Sequence, residues 1–294
     1  FGLKAARWLG LATRRADALL DLRERVLFVQ LGGAAGTLAS VGDEGERVTR
    51  YLAEELGLAV PDLPWHAERD RVAEIAAALG VVAGSMSKIA GDVLLLAQTE
   101  VGEVAEATAP GKGGSSAMPQ KRNPVDATLG AAAARLAIGQ VPVVLSAMSQ
   151  EHERGAGGWQ AEWSSVPDLF RFTAGSVKHV RATIAGLQVD PARMRANLNQ
   201  QEGLPLAESL TMALARVLGR PEAYRLVQEA VREADQSGVA FHEAVLHHGQ
   251  LRAALSEEEI ERALDPASYL GSAELFVERA LAGYRVLQAR VTSS

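Results

Sequence analysis

Leu3, Leu9, Ala12, Ala16, Leu19, Leu20 and Leu27 recur at helical spacing, which predicts one long helix over about 1–30. The pattern breaks at "LGGAAGTLASVGDEG", residues 31–45. Asp43 then stands as the N-cap of a helix running to about Leu56, with Gly57 as its stop. After the loop "LAVPDLPW", three more long patterns follow: Glu68 to Thr108, Pro124 to Gln150 and Trp159 to Leu187. No segment shows a period-two alternation bounded by hairpin turns. Helices of this length without heptad repeats predict a bundle of long antiparallel helices.

The punctuation changes near 188. "VDPARM" supplies Asp190 as an N-cap with Pro191 at the first helical position. Shorter helices are predicted over about 206–218, 221–236, 239–248, 256–264 and 272–290, separated by Gly219, Gly238, Gly249 and "DPASYLG". The expected architecture is all-α, with a long-helix bundle domain over 1–188 and a smaller helical domain over 189–294. Phe1 already lies inside an apolar-periodic pattern, so a further N-terminal segment is expected before it.

Composition supports this picture. Of 294 residues, 48% are hydrophobic, which excludes a disordered chain, and only 5% are aromatic, which favours helix over sheet. The net charge of −6 is spread without a basic block, which argues against nucleic acid or an anionic membrane as partner. With no cysteine, disulfides and thiolate metal sites are excluded. The longest apolar run, Ile75 to Met86, is too short to span a bilayer, and the N-terminus lacks the layout of a signal peptide, so a cytoplasmic location is expected.

Two glycine-rich stretches invite a nucleotide reading and fail it. "GKGGSS" at 111–116 has Glu106 where a phosphate-binding loop needs its first glycine, and "GGAAGT" at 32–37 lacks the dinucleotide spacing. The six histidines, at 66, 152, 179, 242, 247 and 248, form no H-x-x-x-H or H-E-x-x-H pair, so no metal site is expected. All but His152 read as surface or capping residues. His152 lies with Glu151, Glu153, Arg154, Gln160 and Glu162 around a glycine-rich hinge. That cluster is either a solvated turn or a face toward ligand or partner.

The densest chemistry is "GGSSAMPQKRNP", residues 113–124. As a helix connector it uses Asn123 to cap a helix that Pro124 begins. That leaves Ser115, Ser116, Met118 and Lys121 unexplained. A helix N-terminus beside a lysine suits an anion, and a substrate carboxylate is a natural occupant. A serine near such charge loses its proton more easily, and flanking glycines would let the loop close and exclude water.

Gly114 to Pro124 meets every fixed position of the signature G-S-S-x-M-P-x-K-x-N-P and so resembles the fumarase/aspartase superfamily. "GGAAGT" at 32–37 looks like that superfamily's glycine-rich block, while "HER" at 152–154 and "DPASYLG" at 265–271 resemble its adenylosuccinate lyase branch. Within the branch, "QLGGAAGTLASVGDEG" and "QEHERGAGGWQAEW" look most like the 3-carboxy-cis,cis-muconate cycloisomerases. Adenylosuccinate lyase or another fumarate-releasing lyase is the alternative, and a helical scaffold without activity is the non-enzyme reading.

The resemblance implies a small tricarboxylate substrate, closed to a lactone by proton transfer and carboxylate addition on the protocatechuate branch of the β-ketoadipate pathway. It implies Ser115 as the proton-transfer group, Lys121 and Asn123 as the carboxylate-binding pair, and Ser116 and Met118 as shapers of the loop. His152, Arg154, Gln160 and Glu162 are candidates for substrate or interface contact. No metal or organic cofactor is implied. The family assembles as a homotetramer with each site shared among subunits. It also carries substrate-contacting blocks upstream of a sequence like "FGLK", so this polypeptide alone is expected to be inactive.

Overall fold

The computed structural model describes residues 1–107, 113–114, 118, 121–200 and 202–293. The chain divides into two compact units: one holds Phe1–Gln98, Val104–Gln188 and Arg279–Ser294, the other Thr99–Glu103 and Val189–Glu278. Its helices, in chain order, are α1 (Gly2–Val26), α2 (Gly45–Leu56), α3 (Asp70–Leu96), α4 (Val125–Ser146), α5 (Gly158–Ala185), α6 (Pro191–Asn199), α7 (Ala207–Leu218), α8 (Arg220–Ser237), α9 (Phe241–His247), α10 (Gly249–Ala254), α11 (Glu257–Ala263) and α12 (Ala273–Ser293). Among the described residues, regular strand is confined to Val104–Ala105 and Gln188–Val189.

In the first unit, α3, α4 and α5 pack together around small residues: Ala76, Ala83, Ala134 and Ala137, with Val144 and Leu169. Small side chains let the helices approach closely. At Gly80 an added Cβ would come within 2.7 Å of the Val141 side chain, and at Gly130 within 3.1 Å of Val180. Ser176 of α5 donates to the Gly130 carbonyl of α4 at 2.9 Å, so the close approach is also hydrogen-bonded. The α1 helix joins α3 through a polar contact, Trp8 Nε1 donating to Asp92 at 2.8 Å. Burial pushes the Asp92 carboxyl up, but hydrogen bonds from Lys88 and Trp8 and the charge of Lys4 outweigh it. Its pKa therefore lies below the ordinary aspartate value.

In the second unit, large side chains fill the centre. Leu206, Leu210, Leu214, Leu226, Phe241, Val245, Leu251 and Ile260 are all buried in one cluster. Local signals set its helix ends. Asp190 accepts from Arg193 N at 2.9 Å with Pro191 following, as the sequence predicts. Ser256 forms a capping box with Glu259, and Gly238 closes α8 in the left-handed region at φ +69.

Several expectations are corrected. Asp43 does not cap α2: it lies in a 3-10 turn, Ala39–Glu44, and Glu44 precedes the helix without a side-chain bond. Helix α3 stops at Leu96 rather than near Thr108. Beyond it, Gly102 turns at φ +63, and the carbonyls of Glu100 and Val101 are taken by Arg193 and Asn197 of α6 instead of by a helical ladder. Helix α4 starts after Pro124 and ends at Ser146. The expected grouping of 189–294 also differs from the structure. The end of α12 falls with the first unit, where Arg290 bonds Asp17 and Asp21 of α1, each at 2.5 Å. Finally, α3 and α4 are long and apolar enough to cross a membrane, although no uninterrupted apolar run suggested it. Their alanine faces form the core of the bundle.

Candidate active site

The segment leading into α4 is closed by its own backbone. Gly113 turns at φ +75, and its carbonyl accepts from Asn123 N at 2.9 Å and from Asn123 Nδ2 at 3.3 Å. A Cβ on Gly113 would meet the Asn123 carbonyl at 3.0 Å, so both its conformation and its surroundings call for glycine. Lys121 N donates to the Met118 carbonyl at 3.0 Å, making a second turn. Met118 and Lys121 are exposed, and Asn123 is half-buried at the base of the loop. Ser115 and Ser116 lie outside the described residues.

Asn123 does not cap α4, because its side-chain amide is directed back to Gly113. The cap comes from twenty residues upstream. Glu106, buried, accepts from Asp126 N at 3.0 Å through one oxygen, and from Ala127 N at 2.7 Å and Thr183 Oγ1 at 2.8 Å through the other. Val125 N bonds the Asn123 carbonyl at 2.9 Å, and Thr128 N the Pro124 carbonyl at 3.0 Å. Every amide of the first turn therefore has an internal partner. The expectation that a substrate carboxylate occupies this helix N-terminus is overturned, since Glu106 already holds the place. In the sequence, Glu106 stands out only as the acid where a phosphate-binding loop needs a glycine. No local signal marks it as the cap, because Asn123 offers a satisfactory cap by the sequence rule. Behind it, His179 Nδ1 lies 2.9 Å from Asp126 Oδ1.

The glycine-rich hinge between α4 and α5 lies at the far end of these helices. Helix α4 has 22 residues, so the loop and the hinge stand about 33 Å apart along its axis. Glu162 is 5% exposed and faces Arg69, which donates to it through Nε at 2.9 Å and through Nη2. Gln150 adds a longer bond to the same carboxylate at 3.4 Å. Gln160 accepts from Gly157 N at 2.8 Å and so begins α5. Arg154 reaches the Gly33 carbonyl at 3.3 Å and lies 5.4 Å over the Trp159 ring. It thereby joins the hinge to the "GGAAGT" block. His152 is exposed, with φ +50.

The structure thus brings Arg154, Gln160 and Glu162 to one end of the bundle and Lys121, Asn123 and Met118 to the other. It also adds His66, for which the sequence predicts only a surface or capping role. Its ring meets Trp159 edge to face at 4.7 Å. Burial, followed by the charges of Arg154 and Arg69, lowers its pKa below the ordinary histidine value, so it stays neutral near pH 7. Chemically, this end is a cation-rich aromatic cluster whose one buried acid is already paired with Arg69, whereas the loop end presents an exposed ammonium beside an amide. Among the described residues, no three His, Asp or Glu side chains gather as a metal site would require.

Residues 1–140 match the family model described as "Lyase", and residues 203–280 match that described as "Adenylosuccinate lyase C-terminus". The chain is 48% identical over 286 residues to a 3-carboxy-cis,cis-muconate cycloisomerase of Pseudomonas aeruginosa, which covers 97% of this chain and 62% of that protein. It is 41% identical over 293 residues to a nitrosuccinate lyase of Streptomyces davaonensis, covering 96% of this chain and 61% of that protein. The crystal structure of a 3-carboxy-cis,cis-muconate lactonizing enzyme from Pseudomonas putida is similar, with a TM-score of 0.90 and 41% identity over 97% of this chain and 63% of that one. The chain therefore spans less than two thirds of the length of these relatives.

Proposed function

Because the chain belongs to the fumarase/aspartase superfamily, we propose that its activity is that of a 3-carboxy-cis,cis-muconate cycloisomerase, acting in the cytoplasm on the protocatechuate branch of aromatic breakdown. One carboxylate of the substrate adds across a conjugated double bond and closes a lactone. A proton is delivered to the neighbouring carbon, and negative charge develops on the carboxylate conjugated to it. Preorganised cations and N–H groups stabilise such charge best. Lys121 and Asn123 hold that carboxylate, Ser115 transfers the proton, the amides after Ser115 serve as oxyanion donors, and Ser116 and Met118 shape the loop around them. The observation that carries this reading is the complete signature, Gly114 to Pro124, in a chain 48% identical to a cycloisomerase.

The separation of about 33 Å along α4 supports a site shared between chains, since loop and hinge of one chain cannot converge on one small molecule. The outward faces supply a surface for such an assembly. Trp163, Phe170, Val177 and Ile184 on α5, and Leu129, Leu136 and Val143 on α4, are exposed at intervals of seven. Residues seven apart lie on one face of a helix, so each set forms an exposed apolar stripe. We take the assembly to be a homotetramer with sites built from several subunits, in which His152 and Arg154 face substrate or a neighbouring chain. Gln160 and Glu162 serve that face indirectly, because their side chains are engaged within the chain.

A lyase acting on another succinate derivative is the second reading, favoured by the 41% identity to nitrosuccinate lyase. The test is to incubate the full-length protein, with the expected upstream blocks in place, with 3-carboxy-cis,cis-muconate and follow the diene absorbance in the ultraviolet. Loss of the diene is expected, and Ser115→Ala should lower kcat by about 10²–10⁴ with the oligomer intact. An unchanged diene together with turnover of adenylosuccinate or nitrosuccinate would overturn the assignment. Near-normal turnover by the variant would remove Ser115 from the proton transfer.

A further inference from the structure

We infer that Glu106 is a positioning residue for the substrate-binding loop, which fixes Lys121 and Asn123 by clamping the chain on both sides of the signature segment. This rests on the proposed function for what the loop binds, but not for the clamp itself. Glu106 lies just before the segment, and the two amides it accepts from, Asp126 N and Ala127 N, lie just after it. One carboxylate thus ties the incoming chain to the outgoing chain. Its bond from Thr183 Oγ1 secures both to α5. Closer in, the Gly113 carbonyl receives Asn123 N and Nδ2, a second tie across the same segment.

Starting a helix does not require this arrangement. A Ser, Thr or Asp one residue before α4 would do so locally. A buried carboxylate from twenty residues away is costly to desolvate, and it is tolerated because three donors meet it. What it adds over a local cap is a tie that holds the chain at 106, ahead of the signature segment, to α4 and α5. It also settles where a substrate anion can go. With the positive end of α4 already matched by an internal carboxylate, an incoming carboxylate has no open amide in that first turn. From this end of the chain its bonds come from Lys121 and Asn123 instead. Because Asn123 Nδ2 is bonded to Gly113, small displacements of the clamp change how far that amide can reach.

The experiment uses Glu106→Gln in the full protein. Glutamine keeps one acceptor oxygen but turns an NH₂ donor toward donors. The expected results are a rise in KM of about tenfold with a smaller change in kcat, and faster amide exchange over Lys121–Asn123 as well as at Asp126 and Ala127. Ser176→Ala serves as the structural control. It removes a buried bond between α5 and α4, and should lower Tm while leaving KM and loop exchange unchanged. An unchanged KM in Glu106→Gln, despite faster exchange at Asp126 and Ala127, would reduce Glu106 to a helix cap and overturn the inference. If wild type does not consume 3-carboxy-cis,cis-muconate, the assignment of substrate fails, and exchange at Lys121–Asn123 decides the clamp alone. Faster exchange there supports it, and unchanged exchange overturns it.

Discussion

The two units mix small and large buried residues in different proportions. In the bundle of α3, α4 and α5 the centre is alanine, and large side chains such as Leu129, Leu136, Trp163 and Phe170 face outward. In the unit of α6 to α11, leucine, isoleucine and phenylalanine stand among the buried alanines and valines, with Leu210, Leu214 and Ile260 fully buried. Hydrophobic stabilisation scales with the apolar area removed from water. The second unit therefore draws its stability from its own interior. The bundle gains less per buried residue and keeps its largest apolar groups for a surface that another chain covers in the proposed assembly. Gly80 and Gly130 also set how closely these helices approach, because a larger residue at either position would meet Val141 or Val180.

The largest effect that would break this contrast is on assembly. Phe170→Arg combined with Val177→Arg places two charges on the exposed stripe of α5, and should reduce the oligomer to smaller species in light scattering while helix content by circular dichroism holds. An assembly of unchanged mass would show that the stripe is not a seam. Next is Leu214→Ala in the second unit, which should cost about 2–5 kcal/mol by denaturant unfolding, because it opens a cavity in a core of large side chains. A cost below about 1 kcal/mol would mean that the leucine core is not what holds that unit. The smallest effect concerns the polar joint of α1 and α3. Asp92→Asn should cost about 1 kcal/mol at neutral pH. Since the Asp92 carboxyl lies below its ordinary value of 3.8, its stabilisation is full above that value and is lost as pH falls further. The variant should lack that acid-side loss, and identical acid unfolding profiles would remove Asp92 from the joint.

What the sequence made legible follows from where each cause lies. Asp190 and Gly238 act on residues within a turn of themselves, so α6 begins and α8 ends where local rules put them. The end of α3 was illegible because it depends on Arg193 and Asn197, more than ninety residues away, which take carbonyls that a longer helix would use. The cap of α4 was misassigned for the same reason: Asn123 fits the local rule, but Glu106 wins through tertiary contact. In the candidate site, the signature loop was legible as a string of residues. The bond between Arg154 and Gly33, and the pairing of Glu162 with Arg69, join segments 121 and 93 positions apart and leave no trace in either segment alone.

The length of α4 has one more consequence. The helix acts as a ruler: it sets both the distance and the angle between the loop and the hinge. Each residue added or removed within it would move the loop by about 1.5 Å and turn it by about 100° relative to the hinge. Insertions are tolerated best in the loops between elements and least in this helix, even at positions facing water. A change there would leave a well-folded helix whose two ends no longer meet their counterparts across the proposed assembly.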